Sequence, residues 1–232
     1  MAKTANVSEE NSLNNKLIWA ILYFVITVGL IISSCFLFKK YYYQSIFVSG
    51  TSMQPTLNAN YSTTGRCDFG IIDTHAKRIN EINRFDIVTT YYPWDSKDYS
   101  LSEGSFVPGS KPKENASYKI KRVIALPNET FKLTNNELYL KSGSDFIKIE
   151  MPFERKLDNV YNNTKEITLK DNEYWVMGDN WKISQDCYDV MQPVYKENIV
   201  GVLVAIQGTC KVSKINGVET CIDRQYGKTI YF

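Results

Sequence analysis

One histidine, His75, is all that this chain of 232 residues contains, and that scarcity narrows its chemistry more than any average does. A Ser-His-Asp hydrolase or a thiol protease would have to use His75 as its base. His75 sits in THAKRINEIN, a polar stretch between two strand-like segments, where a solvated loop histidine is the simpler interpretation. The chain has no HExxH and no Cys/His pair at zinc spacing, so a metallohydrolase is not expected and no metal site is assigned. GxSxG and phosphate-cradling glycine loops are absent too, which leaves lipase-type and nucleotide chemistry without motif support. No cofactor is expected. Charge of one sign is equally scarce: 27 Lys plus Arg stand against 25 Asp plus Glu, a net +2, too little for a nucleic-acid binder working by bulk positive charge. With 44% hydrophobic and 22% charged residues, the chain is neither disordered nor collagen-like.

What is present begins with LIWAILYFVITVGLIISSCFLF (17–38), 22 residues without a charge, preceded by Lys16 and followed by Lys39 and Lys40. As a helix this run spans the hydrocarbon core of a bilayer, about 30 Å at 1.5 Å per residue. A cleaved leader would have a shorter apolar region and a small-residue cleavage site. Here Tyr41, Tyr42 and Tyr43 follow instead, as in an interfacial belt, so the segment is expected to stay as an anchor. Lys3 and Lys16 before it balance Lys39 and Lys40 after it, and the flanking charges leave its orientation open.

After residue 45 the strand formers Val, Ile, Thr and Tyr dominate, and a mainly β domain is expected. DFGIID (68–73), RFDIVTTYYP (84–93), YKIKRVIALP (118–127), ELYLK (137–141) and YWVMGDN (174–180) are predicted strands bounded by Gly, Pro or Asn. Residues 95–117 are polar without periodicity, a long exposed loop. With histidine chemistry disfavoured, a serine activated by lysine remains. Ser52 lies in Gly50-Thr51-Ser52-Met53-Gln54-Pro55, where small residues would let a substrate backbone approach and free N–H groups could face an oxyanion; the same residues also fit a plain turn. Lys121 lies in KIKRVIAL (119–126), whose alternation places Lys119, Lys121, Val123 and Ala125 on one face and Ile120, Arg122, Ile124 and Leu126 on the other. Desolvation there could bring a lysine from about 10.4 towards the 7–8 of a general base. A lysine snorkelling along an aliphatic strand fits equally.

SGTSMQPTL (49–57), RFDIV (84–88), YKIKRVIALP (118–127) and VMGDNWKISQD (176–186), in this order behind a membrane segment, resemble the type I signal peptidase family. The resemblance implies a Ser/Lys-dyad membrane protease of mostly β fold that cuts signal peptides from secreted preproteins after small residues. By motif it makes Ser52 the nucleophile, Lys121 the general base and Ser184 the hydroxyl orienting that lysine. Arg122 and Asp186 fall on a supporting ion pair, with Asp179 as a further supporting residue. Val48, Met53, Leu57 and Ile120 fall on the substrate pocket, and substrate is expected as an added strand beside 47–50, including Gly50, and near 119–121. Lysine at 121, where the enzymes of the endoplasmic reticulum carry histidine, indicates the bacterial type. The resemblance also implies a cytoplasmic tail (1–16), one membrane span (17–38) and an extracytoplasmic catalytic domain (39–232) carrying an inserted β subdomain (128–171). The expected setting is the cell membrane, with lipid and preproteins as partners, no nucleic acid, and a monomeric enzyme.

The chain departs from the family's common GDNRxxSxDSR pattern: Trp181, Cys187 and Tyr188 replace its two arginines and second serine, and Gly50 stands where some members have a serine hydroxyl. A rival reading is therefore an accessory of this type that assists assembly of secreted or pilus-type proteins with weak or no cleavage. The related self-cleaving repressors share a Ser/Lys site but need a DNA-binding domain where this chain has its apolar segment. Outside the cell disulfides persist, and Cys210 and Cys221 flank KVSKINGVET, a predicted hairpin turning at Asn216-Gly217. That register puts Val212 opposite Cys221 and Cys210 one diagonal step away, so a bridge requires a bulge or a slipped turn.

Overall fold

A computed structural model describes residues 2–92, 118–157 and 165–232; the predicted loop 95–117 lies outside the described residues. The chain divides into two units, Met1–Tyr42 and Tyr43–Phe232. The first is a single helix, α1 (Ala2–Tyr42). No proline interrupts it, and it runs without a break through residue 16, so the expected boundary between tail and span is not a change of backbone. Its stretch Asn15–Phe38 is long and apolar enough to cross a membrane, and Leu17, Trp19, Phe24 and Phe36 are exposed along it.

The second unit is mainly β. Its elements are β1 (Tyr43–Phe47), α2 (Tyr61–Thr64), β2 (Cys67–Asp73), α3 (Ala76–Asn80), β3 (Ile87–Thr90), β4 (Lys119–Ala125), β5 (Thr130–Thr134), β6 (Glu137–Ser142), β7 (Asp145–Ile149), β8 (Ile167–Thr168), β9 (Glu173–Met177), α4 (Cys187–Val190), β10 (Val194–Tyr195), β11 (Ile199–Ile215) and β12 (Val218–Tyr231). One sheet has the order β1-β2-β11-β3-β4-β9-β10 with β12 also on β11; a second has the order β7-β6-β5-β8. Alternation makes the strands, and turn chemistry separates them. Asn135 and Asn136, both at positive φ, turn β5 into β6, and Asn216 with Gly217 turns β11 into β12.

The smaller sheet is not an independent body, because its Phe131, Leu133 and Leu138 pack in one core with Val123, Ile124, Trp175, Val176 and Trp181. Each fully buried side chain of this size contributes about 1.5–3 kcal/mol relative to exposure. A second apolar cluster gathers Val48, Met53, Leu57, Ile72, Ile87, Leu203 and Ile206, with Ile46, Ile120 and Val200 against it.

The terminal hairpin forms with Val212 opposite Cys221, and the ladder shifts register between Thr209 and Lys211. This is the irregularity a bridge needs. Cys210 and Cys221 are joined as a disulfide with Cα atoms 5.7 Å apart.

Candidate active site

Three separate segments supply the site, and two of them, the Ser52 turn and the Ser184 segment, meet at Gly178, just past the end of β9. A Cβ built there would lie 2.3 Å from the Ser184 hydroxyl oxygen and 2.3 Å from the Ser52 carbonyl oxygen. Only a glycine lets both approach. Asn180, two residues on, secures the contact: its amide donates to the Ser52 carbonyl at 2.9 Å and its Nδ2 to the Thr51 carbonyl at 3.1 Å. Ser52 itself is half-buried in a turn. Among the described residues its hydroxyl and its N–H take no hydrogen-bond partner.

Lys121 enters from β4, which lies between β3 and β9, and is only 2% exposed. Its Nζ donates to Ser184 Oγ at 3.0 Å. Burial pushes the ammonium down to about 8, against an upward pull from Asp186. About one molecule in ten then holds a neutral lysine at pH 7, against about one in 2,500 for an ordinary one. Ser184 also hydrogen-bonds Asp186, whose carboxyl is pushed up to about 6 by burial while Lys121 and its hydrogen bonds hold it down. Asp186 accepts from the amides of Gly178 at 3.0 Å and Tyr188 at 3.1 Å and opens α4 as its cap. The line Lys121–Ser184–Asp186 therefore runs wholly inside the protein.

The expected ion pair between Arg122 and Asp186 is not the one the fold makes. Neighbouring residues on a strand point to opposite faces, so with Lys121 turned to Ser184, Arg122 is turned away. It meets Asp179 in a two-point contact, Nε to Oδ1 at 2.8 Å and Nη2 to Oδ2 at 2.7 Å. Its Nη1 donates to the Phe85 carbonyl at 2.8 Å and its guanidinium lies 4.2 Å above the Phe153 ring. Thr56 donates its hydroxyl hydrogen to the same Asp179 carboxylate, tying the Ser52 turn to this pair.

Val48, Met53, Leu57 and Ile120 gather in the second apolar cluster. Gly50 is exposed, with open space where a side chain would be. The β4–β9 ladder begins only at Arg122, so among the described residues Lys119–Lys121 has no strand on that side. His75 stands apart. The Ser52 turn is fastened to the start of β2, through Val48 N to Asp68 O at 2.9 Å, whereas His75 follows the far end of that strand, about 16 Å further along at 3.2–3.4 Å per residue. Of the residues that replace the usual motif, Trp181 and Cys187 are buried in the main core and Tyr188 packs against it.

Gly178, Asn180 and Thr56 were not singled out by sequence reasoning, although all lie inside the quoted motifs. Asn58 lies just beyond one.

The profile of the signal peptidase, peptidase S26, family matches residues 16–207. The chain is 26% identical over 208 residues to signal peptidase I S of Bacillus subtilis, covering 86% of this chain and 91% of that protein. It is 29% identical over 168 residues to signal peptidase I V of the same organism, covering 67% and 80%. A signal peptidase I structure from Enterococcus faecalis aligns with 53% of this chain and 96% of its own at 22% identity and a TM-score of 0.36. The matched profile takes in more than half of the chain and every segment that converges on Gly178, and the chain belongs to the signal peptidase S26 family.

Proposed function

We propose that Ser52 and Lys121 are the catalytic dyad of a membrane-bound endopeptidase that cuts signal peptides from secreted preproteins after small residues. The observation that carries this is the buried Lys121 Nζ bonded to Ser184, with Ser184 Oγ and the Ser52 main chain both pressed against Gly178. Signal-peptide cleavage is the activity of the family; the assignment of roles is ours.

A neutral Lys121 gives one N–H to Ser184 and keeps its lone pair for the Ser52 proton. As Ser52 Oγ bonds to the scissile carbonyl carbon, that proton passes to Nζ, and the unpartnered Ser52 N–H receives the developing oxyanion. When the C–N bond breaks, Lys121 returns the proton to the leaving amine. Water then attacks the acyl-enzyme carbon, giving its proton to Lys121, and as the ester C–O bond breaks Lys121 passes that proton to Ser52 Oγ, restoring the hydroxyl and the neutral amine. Ser184, held by Asp186, orients the amine throughout. Gly50 supplies no hydroxyl, so the backbone carries the oxyanion. Arg122 and Asp179 act at a distance by fixing β4 and the Ser52 turn. Val48, Met53, Leu57 and Ile120 would bound a pocket for a small side chain.

The catalytic unit would face the extracytoplasmic side, working beside lipid as a monomer, with no nucleic acid or metal involved. An accessory protein that binds without cutting gains nothing from the altered motif, since Trp181 and Cys187 serve the core and the Lys121–Ser184 contact is intact. The test is to incubate the solubilised chain with a preprotein and locate the cut by mass spectrometry. Cleavage after a small residue that disappears with Ser52→Ala is expected; cleavage that survives Ser52→Ala sinks the dyad.

A further inference from the structure

Asn58 is 1% exposed and stands at φ +57°, in the left-handed region that asparagine and glycine tolerate best. All of its polar groups are engaged. Its side-chain Nδ2 donates to the carbonyl oxygens of Val48 and, at 2.7 Å, of Gly50. Its Oδ1 accepts from the Asp68 amide at 2.6 Å, its own amide donates to Asp68 Oδ2 at 2.6 Å, and its carbonyl accepts from Gln54 Nε2 and the Tyr61 amide. No other residue type offers two donors and an acceptor on so short a side chain while accepting this backbone.

The consequence lies in the strand that precedes the nucleophile. In an extended backbone, groups two residues apart share a side. Val48 turns its N–H to Asp68 and its carbonyl to Asn58, and Gly50 turns its carbonyl to Asn58. The intervening Ser49 therefore faces the other way. It is exposed, and among the described residues its N–H and C=O have no partner.

We infer that Asn58 is a positioning residue for substrate: its carboxamide holds the Val48 and Gly50 carbonyls inward, and so presents the Ser49 N–H and C=O as the hydrogen-bonding edge for an extended peptide. This rests on the Ser52–Lys121 reading and deepens it. The role differs from that of Asn180, which holds the nucleophile turn itself. Losing Asn58 weakens recognition of long substrates and leaves the reactivity of the serine in place.

The experiment compares two reactions of the solubilised full chain. One is cleavage of a preprotein-derived peptide spanning the cut, which needs the edge. The other is inactivation by a small fluorophosphonate, which phosphonylates the serine without strand pairing. Asn58→Gly keeps the positive φ and removes only the clamp. Asn58→Asp keeps shape and backbone but has no N–H to give, and serves should the glycine variant fail to fold. For either, KM for the peptide should rise about tenfold or more with kcat within about threefold. The fluorophosphonate rate should stay within about twofold, with an unchanged pH profile. A parallel fall in both reactions would show that Asn58 supports the nucleophile turn, and an unchanged KM would show that the edge does not depend on it; either overturns the proposal. Peptide cleavage by Ser52→Ala, or phosphonylation elsewhere than Ser52, would instead defeat the dyad reading.

Discussion

Lys121 and Arg122 are consecutive, both buried and both cationic in their ordinary state, yet the protein treats them in opposite ways. Arg122 has a carboxylate at two points, a carbonyl and an aromatic face, so its charge is fully satisfied. Among the described residues Lys121 has one hydroxyl, and the carboxylate that acts on it most, Asp186, is itself pushed towards neutrality. One strand thus holds a permanent cation on one face and, on the other, an amine that can shed its proton. Charge satisfaction keeps a cation, and its withdrawal lets an amine lose its proton, as the proposed base must.

The contrast is broken most sharply by removing each cation. Lys121→Met should reduce kcat/KM by at least about a thousandfold, the usual scale for losing a general base, while making the domain more stable. Because the pKa of Lys121 is lowered to about 8, the folded domain holds fewer protons than the unfolded chain between that value and about 10.5, and stability declines as pH falls through this window. At pH 7 the penalty is about 3 kcal/mol, so thermal melting of Lys121→Met should rise by about 5–10 °C and lose its dependence on pH between 8 and 10.5. A lower melting temperature would show that the lysine is paired after all. Arg122→Met should do the reverse, destabilising by about 3–5 kcal/mol by leaving the buried Asp179 carboxylate without its cation. Denaturant titration reads this, and an unchanged midpoint would count against the pair as a support.

The contrast is sharpened by tuning Lys121. Asp186 pulls its pKa upward, so Asp186→Asn should move the rising limb of the kcat/KM against pH profile to lower pH by up to about one unit. A limb that stays or moves upward would mean that Asp186 does not act on the lysine as a charge. The smallest effect belongs to His75→Ala, expected to stay within about twofold of the unaltered rate in the same peptide assay; a large loss would restore the histidine as base.

The mainly β character and the apolar helix were legible because alternation and an uncharged run are local properties. The Asn-Gly hairpin was legible for the same reason, down to the bulge that its cysteines required. β11 was not: residues 199–206 are largely buried on both faces, so the run lacks the period that marks a strand. The four motif segments are the ones that the structure gathers around Gly178 and Arg122. Which carboxylate Arg122 meets was hidden, since Asp179 and Asp186 stand in one motif and only the pairing of β4 with β9 decides which side each faces. Nothing in the sequence marks Asn58, because its two carbonyl partners are defined by a turn and not by a repeat.

The groups that assemble the candidate site come from points far apart along the chain. Thr51 bonds to Asn180 across 129 residues and Lys121 to Ser184 across 63. Contacts of such separation form late, after the loops between them have closed. If Ser52 and Lys121 form the proposed dyad, a nascent or partly folded chain carries an ordinary serine and an ordinary, protonated lysine, and could not yet cut itself or its neighbours. On that reading, completion of the fold would arm it, and proteolytic competence would double as a folding checkpoint.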